Sequence, residues 1–362
     1  TIPLSEELRF LEENAALFED ADDIFESPTQ SVDKKLLQEP LERFFGYSDF
    51  RGEQVPVIQS ILEGRDAAVF WATGSGKSLC YQIPALYSNR TAIVVSPLIS
   101  LMQDQCNKLN GLCKDKQLAT YLGSLQTDAT IEPRVFQGDF LLVYLTPEKL
   151  TSLGFLEKLA ELHKTKGISL FAIDEAHCVS EWGHEFRPSF RRLNTIRENT
   201  DLSKIPILTL TATAVPRVQK DIVQQLSLRS PFISISSLDR DNLQIKISIR
   251  QGMEETFSNL YEAFQNRPLN NSTIVYCATQ GTVEKVANFL NQRMEKVNVA
   301  PYHAGLSPAE RKRAHIGFVV GEIDVIVATV AFGMGIDKPD TRRVIHYGAP
   351  KTMEEYYQQI GR

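Results

Sequence analysis

The chain has 362 residues, 43% of them hydrophobic and 23% charged, and a formal net charge of −6 at pH 7. At about 150 residues per domain that length predicts two domains, and no apolar run approaches the roughly 18 residues a membrane-spanning helix needs, which excludes a chain built of such helices. The charge is uneven: residues 1–40 carry eleven acids against Arg9, Lys34 and Lys35, a net of −8 that leaves +2 for the rest.

In chain order, residues 1–40 form an acidic arm. LSEELRFLEENAALF has helix spacing, so the arm is expected to be helical or else disordered. From residue 67 short apolar runs alternate with polar, helix-like segments: AAVFWA (67–72), TAIVVS (91–96), FLLVYLT (140–146), ISLFAIDE (168–175) and IPILTLTAT (205–213). They read as buried parallel strands joined by crossover helices. SPFISISSLDRDN (230–242) interrupts the pattern, which restarts with STIVYCAT (272–279), VAPYHAG (299–305), DVIVATV (324–330) and RRVIHYG (342–348). The expected fold is α/β, with one domain over 41–236 and a second over 237–362, each a mainly parallel sheet flanked by helices. Five cysteines (Cys80, Cys106, Cys113, Cys178 and Cys277) form no CxxC pair. An odd count in a large chain predicts reduced thiols in cytosol or nucleus, with Cys106 and Cys113 packing in a core or ligating a metal. The chain opens without methionine or a signal-peptide pattern and is expected to be a piece of something longer.

Two segments carry chemistry. ATGSGKS (72–78) directly follows the first strand and precedes the helix-compatible LCYQIPALY (79–87), the setting a phosphate-binding loop requires. Within Thr73, Gly74, Ser75 and Gly76, the glycines let backbone N–H groups turn inward around phosphate; Lys77 reaches the terminal phosphates and Ser78 ligates magnesium at a helix start. The generic pattern begins with glycine where this chain has Trp71. Asp174 and Glu175 close the strand SLFAI, where an acid pair meets such a loop across the strand ends. Asp174 is assigned to the metal and Glu175 to the base that deprotonates an attacking water. A glycine turn with a solvated lysine, and a surface cap, are the bland alternatives.

With ATGSGKS, DEAH (174–177), TATA (211–214) and YYQQIGR (356–362) in this order, the chain resembles a superfamily-two helicase, and its other segments narrow that to the RecQ family. Those segments are LERFFGYSDFRGEQ (41–54), SPLISLMQDQ (96–105), YLTPEKL (144–150), IVYCAT (274–279), YHAGL (302–306) and ATVAFGMGIDKPD (328–340). YLGSLQ (121–126), EFRPSFRRL (185–193) and HYGAPK (346–351) resemble the Werner-type branch. The resemblance implies two tandem RecA-like domains with a nucleotide cleft between them, and an ATP- and Mg2+-dependent 3′ to 5′ helicase acting on single-stranded, duplex or branched DNA. It implies a nuclear protein, or a cytoplasmic one in a prokaryote, with protein partners through the acidic arm or regions beyond this chain. Tyr47 and Arg51 would sandwich an adenine while Gln54 bonds its edge. Thr211 and Thr213 would relay the hydrolysis state, and His177 would link the acid pair to them. Gly335, Asp337 and Gln358 would line the cleft opposite the phosphate loop. Arg362 matches the first arginine of the family's final motif, whose second arginine falls past the last residue. The family's zinc module, winged helix and exonuclease domain are not expected in this chain, nor is bound zinc.

The run CVSEWGHEFRPSF (178–190) matches the family's aromatic-rich loop. Trp182, Phe186 and Phe190 offer flat faces for bases, while His184 and Arg187 supply donors and charge. Base stacking of this kind is worth roughly 1–3 kcal/mol and ignores sequence. Ser96 joins the strand-contacting set. Phe190 fits domain packing equally well. Two other functions compete with a DNA helicase: a DEAH-type RNA helicase, and an ATP-binding recruitment module without catalysis.

Overall fold

Apolar runs in the centre of the first sheet become strands because both of their faces are covered. The computed structural model describes residues 32–113, 116–183, 186–212, 214–237, 240, 242–249, 252–266, 272–332, 338 and 340–362. The chain divides into two compact units, Thr1–Leu238 and Asp239–Arg362.

Among the described residues the first unit holds seven strands: β1 (Ala67–Phe70), β2 (Thr91–Val95), β3 (Ala119–Leu122), β4 (Leu142–Leu145), β5 (Ile168–Asp174), β6 (Ile207–Thr211) and β7 (Phe232–Ile235). Their order in the sheet is β3-β4-β2-β5-β6-β1-β7, and every neighbouring pair is parallel. Side chains alternate between faces along a strand. Accordingly Ala68, Phe70, Ile93, Val95, Phe171 and Ile173 pack into one core, and Ala67, Val69, Ala92, Val94, Leu170 and Ala172 into the other. Cys106 and Cys113 both pack on the second core.

Neither β3 nor β7 is among the strands the sequence pattern predicts. Both lie at sheet edges, where one neighbour suffices and the apolar signal weakens; Ile233 and Ile235 of β7 stay exposed. The segment read as an interruption therefore supplies the last strand of the first sheet.

The second unit is smaller. Its strands β8 (Ser272–Cys277), β9 (Val299–Tyr302), β10 (Val325–Ala328) and β11 (Thr341–Tyr347) form a parallel sheet in the order β11-β8-β10-β9. Three of its described helices start on side-chain caps that satisfy free N–H groups of the first turn. Thr279 caps Gln280–Arg293, Ser307 forms a capping box with Glu310 on Pro308–Val320, and Thr352 caps Met353–Ile360. Among the described residues no helix is long and apolar enough to cross a membrane.

Candidate phosphate site and aromatic loop

The phosphate loop leaves the carboxyl end of β1 and enters the helix Leu79–Ser88. Gly74 and Gly76 adopt φ of +81° and +83°, a region costly for residues with a Cβ. At Gly76 the space is also closed: a Cβ would stand 2.5 Å from Gln54 Nε2. That amide explains how the loop is held. Gln54 is buried; its Nε2 donates to the Gly76 carbonyl at 3.1 Å and the Ser75 carbonyl at 3.5 Å, while its Oε1 accepts from the Arg51 backbone N–H at 2.8 Å. Tyr47 and Arg51 are both exposed. Lys77 Nζ donates to the carbonyls of Trp71, at 2.9 Å, and Ala72, at 3.2 Å.

Trp71, at the position where the generic pattern has glycine, is buried and tied down. Its indole N–H donates to Ser234 Oγ at 2.8 Å, and that hydroxyl donates to Glu53 Oε2. The relay joins β7, the phosphate loop and the start of the Gln54 helix, and the sequence reading missed Ser234 and Glu53. Only the departure at Trp71 marked the place.

The acid pair lies two strands away. Order β5-β6-β1 puts Asp174, Thr211 and Trp71 on successive strand ends, with the Trp71 N–H bonded to the Thr211 carbonyl at 3.2 Å. Burial, followed by the Glu175 charge, pushes the Asp174 carboxyl up to about 7, against the pull of the Lys77 ammonium and the Glu175 N–H. The lysine and the acid thus share one electrostatic environment. Glu175 is a non-glycine residue at φ +51°, a conformation that costs about 1–2 kcal/mol. Its Oε2 lies 3.4 Å from His177 Nδ1, and the same nitrogen is 2.9 Å from Thr211 Oγ1. His177 and Thr211 are both buried, so Glu175, His177 and Thr211 form one connected polar chain. Thr213 lies outside the described residues.

Past the short turn Ala176–Val179 the chain carries Trp182, 58% exposed, with the Arg217 guanidinium carbon 3.3 Å from its ring centroid. Phe186 lies beneath Arg191, which also bonds Glu181 at 2.8 Å and the Val179 carbonyl at 3.3 Å. Arg187 donates to the Pro97 carbonyl at 3.1 Å, joining this loop to the one after β2. His184 lies outside the described residues.

In the second unit, Gln358 is half-buried on the helix Met353–Ile360, and Arg362 follows one turn later. Its neighbour Gln359 fixes that helix, accepting at Oε1 from His346 Nε2 at 2.8 Å and donating to Glu355 at 3.0 Å. Gly335 and Asp337 lie outside the described residues.

The DEAD/DEAH box helicase family matches residues 51–222, and the helicase conserved C-terminal domain matches residues 255–362. The chain is 45% identical to the ATP-dependent helicase wrn-1 of Caenorhabditis elegans over 89% of its own length and 30% of that protein's. It is 43% identical to the bifunctional 3′-5′ exonuclease/ATP-dependent helicase WRN of Mus musculus (92% and 24%), and 39% identical to the ATP-dependent DNA helicase RecQ of Pasteurella multocida (91% and 50%). The chain belongs to the RecQ family of helicases. It spans from about a quarter to half of these relatives' lengths. Among solved structures, the DUF1998 helicase MrfA bound to DNA and AMPPNP matches with a TM-score of 0.68 at 21% identity, covering 93% of this chain and 49% of that one. That likeness carries the fold, a tandem RecA-like helicase core.

One strand contact expected from the RecQ resemblance is corrected. Phe190 is fully buried in the core of the first unit, with no face to offer a base. Ser96, just past β2, is buried, and among the described residues its hydroxyl has no partner. Both ends of the Gln54 amide are engaged within the core. Arg217 was missed altogether: it lies in sequence beyond the TATA motif, and only folding brings it to Trp182.

Proposed function

We propose that this RecQ core hydrolyses ATP and couples hydrolysis to 3′ to 5′ movement along single-stranded DNA, opening duplex or branched DNA. The observation that carries the reading is the common environment of Lys77, Asp174 and Glu175 at the carboxyl ends of strands in one sheet. Backbone N–H groups between Thr73 and Ser78 cradle the phosphates, and Lys77 exchanges its carbonyl partners for the terminal phosphate oxygens, stabilising charge as it develops there. Ser78 and Asp174 offer hard oxygen donors of the kind Mg2+ takes alongside substrate phosphates, and they would hold the ion. Bound there, Mg2+ adds neutralising charge.

Glu175 accepts the proton of the attacking water, a role supported by its left-handed backbone, which aims the carboxylate away from the strand and towards His177. His177 and Thr211 hold Glu175 in register. Tyr47 and Arg51 take the adenine between them, with Gln54 bonding its edge. Gln358 and Arg362 contribute from the second unit. Trp182, Phe186 and Arg187 receive the strand, the aromatics stacking on bases of any sequence.

The test is ATP hydrolysis by the protein alone, with single-stranded DNA and with RNA of the same length. DNA should stimulate more than RNA. No hydrolysis would favour a recruitment module, and stimulation by RNA alone would make this an RNA helicase.

A further inference from the structure

Arg217 lies in the first turn of the helix Pro216–Gln225, and its guanidinium carbon stands 3.3 Å from the indole centroid of Trp182. Trp182 is nonetheless 58% exposed. A flat ring has two faces: one rests on the guanidinium and the other is open to solvent. The Trp182 backbone N–H donates to Ser180 Oγ at 3.2 Å, which fixes the loop's backbone and leaves the ring's orientation to the stacking contact.

We infer that Arg217 is a positioning residue for the strand, holding the Trp182 indole in plane so that its open face receives a base. The inference rests on the DNA-binding reading above. A freely rotating indole must be ordered each time a base stacks on it, whereas one already backed by a planar cation loses little freedom on binding. The contact also joins two segments that meet elsewhere. Trp182 follows His177 by a short loop, Arg217 follows Thr211 by a few residues, and His177 Nδ1 is 2.9 Å from Thr211 Oγ1. A base pressing on the indole therefore bears on both segments that hold Glu175.

The test is a titration of labelled single-stranded DNA against the parent, Arg217→Gln, Arg217→Lys, Trp182→Ala and the double variant Trp182→Ala with Arg217→Gln. Melting temperature and strand-free ATP hydrolysis are read on the same preparations. Arg217→Gln should weaken DNA binding roughly two- to fivefold, equivalent to the ~0.5–1 kcal/mol of an exposed cation–π contact. Melting temperature and strand-free hydrolysis should stay at parental values. Arg217→Lys should recover part of the loss, and in the Trp182→Ala background the Arg217→Gln change should add almost nothing. Unchanged or tighter binding by Arg217→Gln overturns the inference, as does the same penalty with or without the indole, which would make Arg217 an independent phosphate contact. A parent protein that binds no strand overturns the DNA reading together with this one. A parent that binds while Arg217→Gln binds equally well overturns this one alone.

Discussion

The phosphate site and the aromatic loop lie in the same unit and are built in opposite ways. Around the phosphate loop the functional side chains are buried and already bonded: Gln54 to the loop carbonyls, Trp71 to Ser234, His177 to Thr211. On the aromatic loop Trp182 is exposed and rests on one arginine. Chemistry that must stabilise charge at fixed points needs groups that do not reorganise. A platform that must grip and release successive bases needs an accessible face and modest affinity. Changes in the first region should therefore disturb hydrolysis and stability together, and changes in the second should touch strand response alone.

The largest expected effect is on the hydrolytic side. Lys77→Ala removes the cation proposed to face the terminal phosphates, and ATP turnover should fall on the order of a hundredfold to a thousandfold or more, with ATP binding weakened. Near-normal turnover in steady-state assays would remove Lys77 from the site. Glu175→Gln keeps shape and removes the base, so turnover should drop by on the order of 10² to 10⁴ while ATP still binds. Equal loss of binding, measured by nucleotide titration, would make Glu175 a ligand instead.

A smaller effect tests the buried character of that region by pH. Burial, reinforced by Glu175, raises the Asp174 carboxyl to about 7 in the folded protein, above its ordinary carboxylate range. The folded state then holds a proton that the unfolded state has lost. The stability Asp174 contributes is present at about pH 4 and disappears as pH rises through about 7. Nucleotide-free Asp174→Asn should therefore melt above the parent at pH 8, with the gap closing towards pH 5. A gap that is equal at both pH values would mean that the carboxylate is ionised throughout.

Much of this was legible in the sequence, for physical reasons that also mark the limits. Central strands such as TAIVV and SLFAI are apolar on both faces, so their runs show without alignment; edge strands β3 and β7 are not, and they were passed over. The phosphate loop is local, and glycine, lysine and serine at fixed spacing announce it. Contacts between distant segments leave no such trace. Nothing in the spacing of Trp71, Ser234 and Glu53, or of Trp182 and Arg217, says that they meet. Phe190 shows the converse: among neighbouring aromatics it reads equally as base platform or core, and helical placement turns it into the core while Trp182 stays outside.

The most direct test of the contrast is Trp182→Ala, with melting temperature, strand-free ATP hydrolysis and DNA-stimulated hydrolysis measured on one preparation. Melting temperature and strand-free rate should match the parent, because Trp182 lies outside the proposed phosphate site and is mostly exposed. Stimulation should fall, reflecting a lost stack worth roughly 1–3 kcal/mol of strand contact. A fall in melting temperature and all rates together, as expected when a core aromatic is truncated at a cost of about 3–5 kcal/mol, would contradict the account, and so would a stable variant that keeps full stimulation.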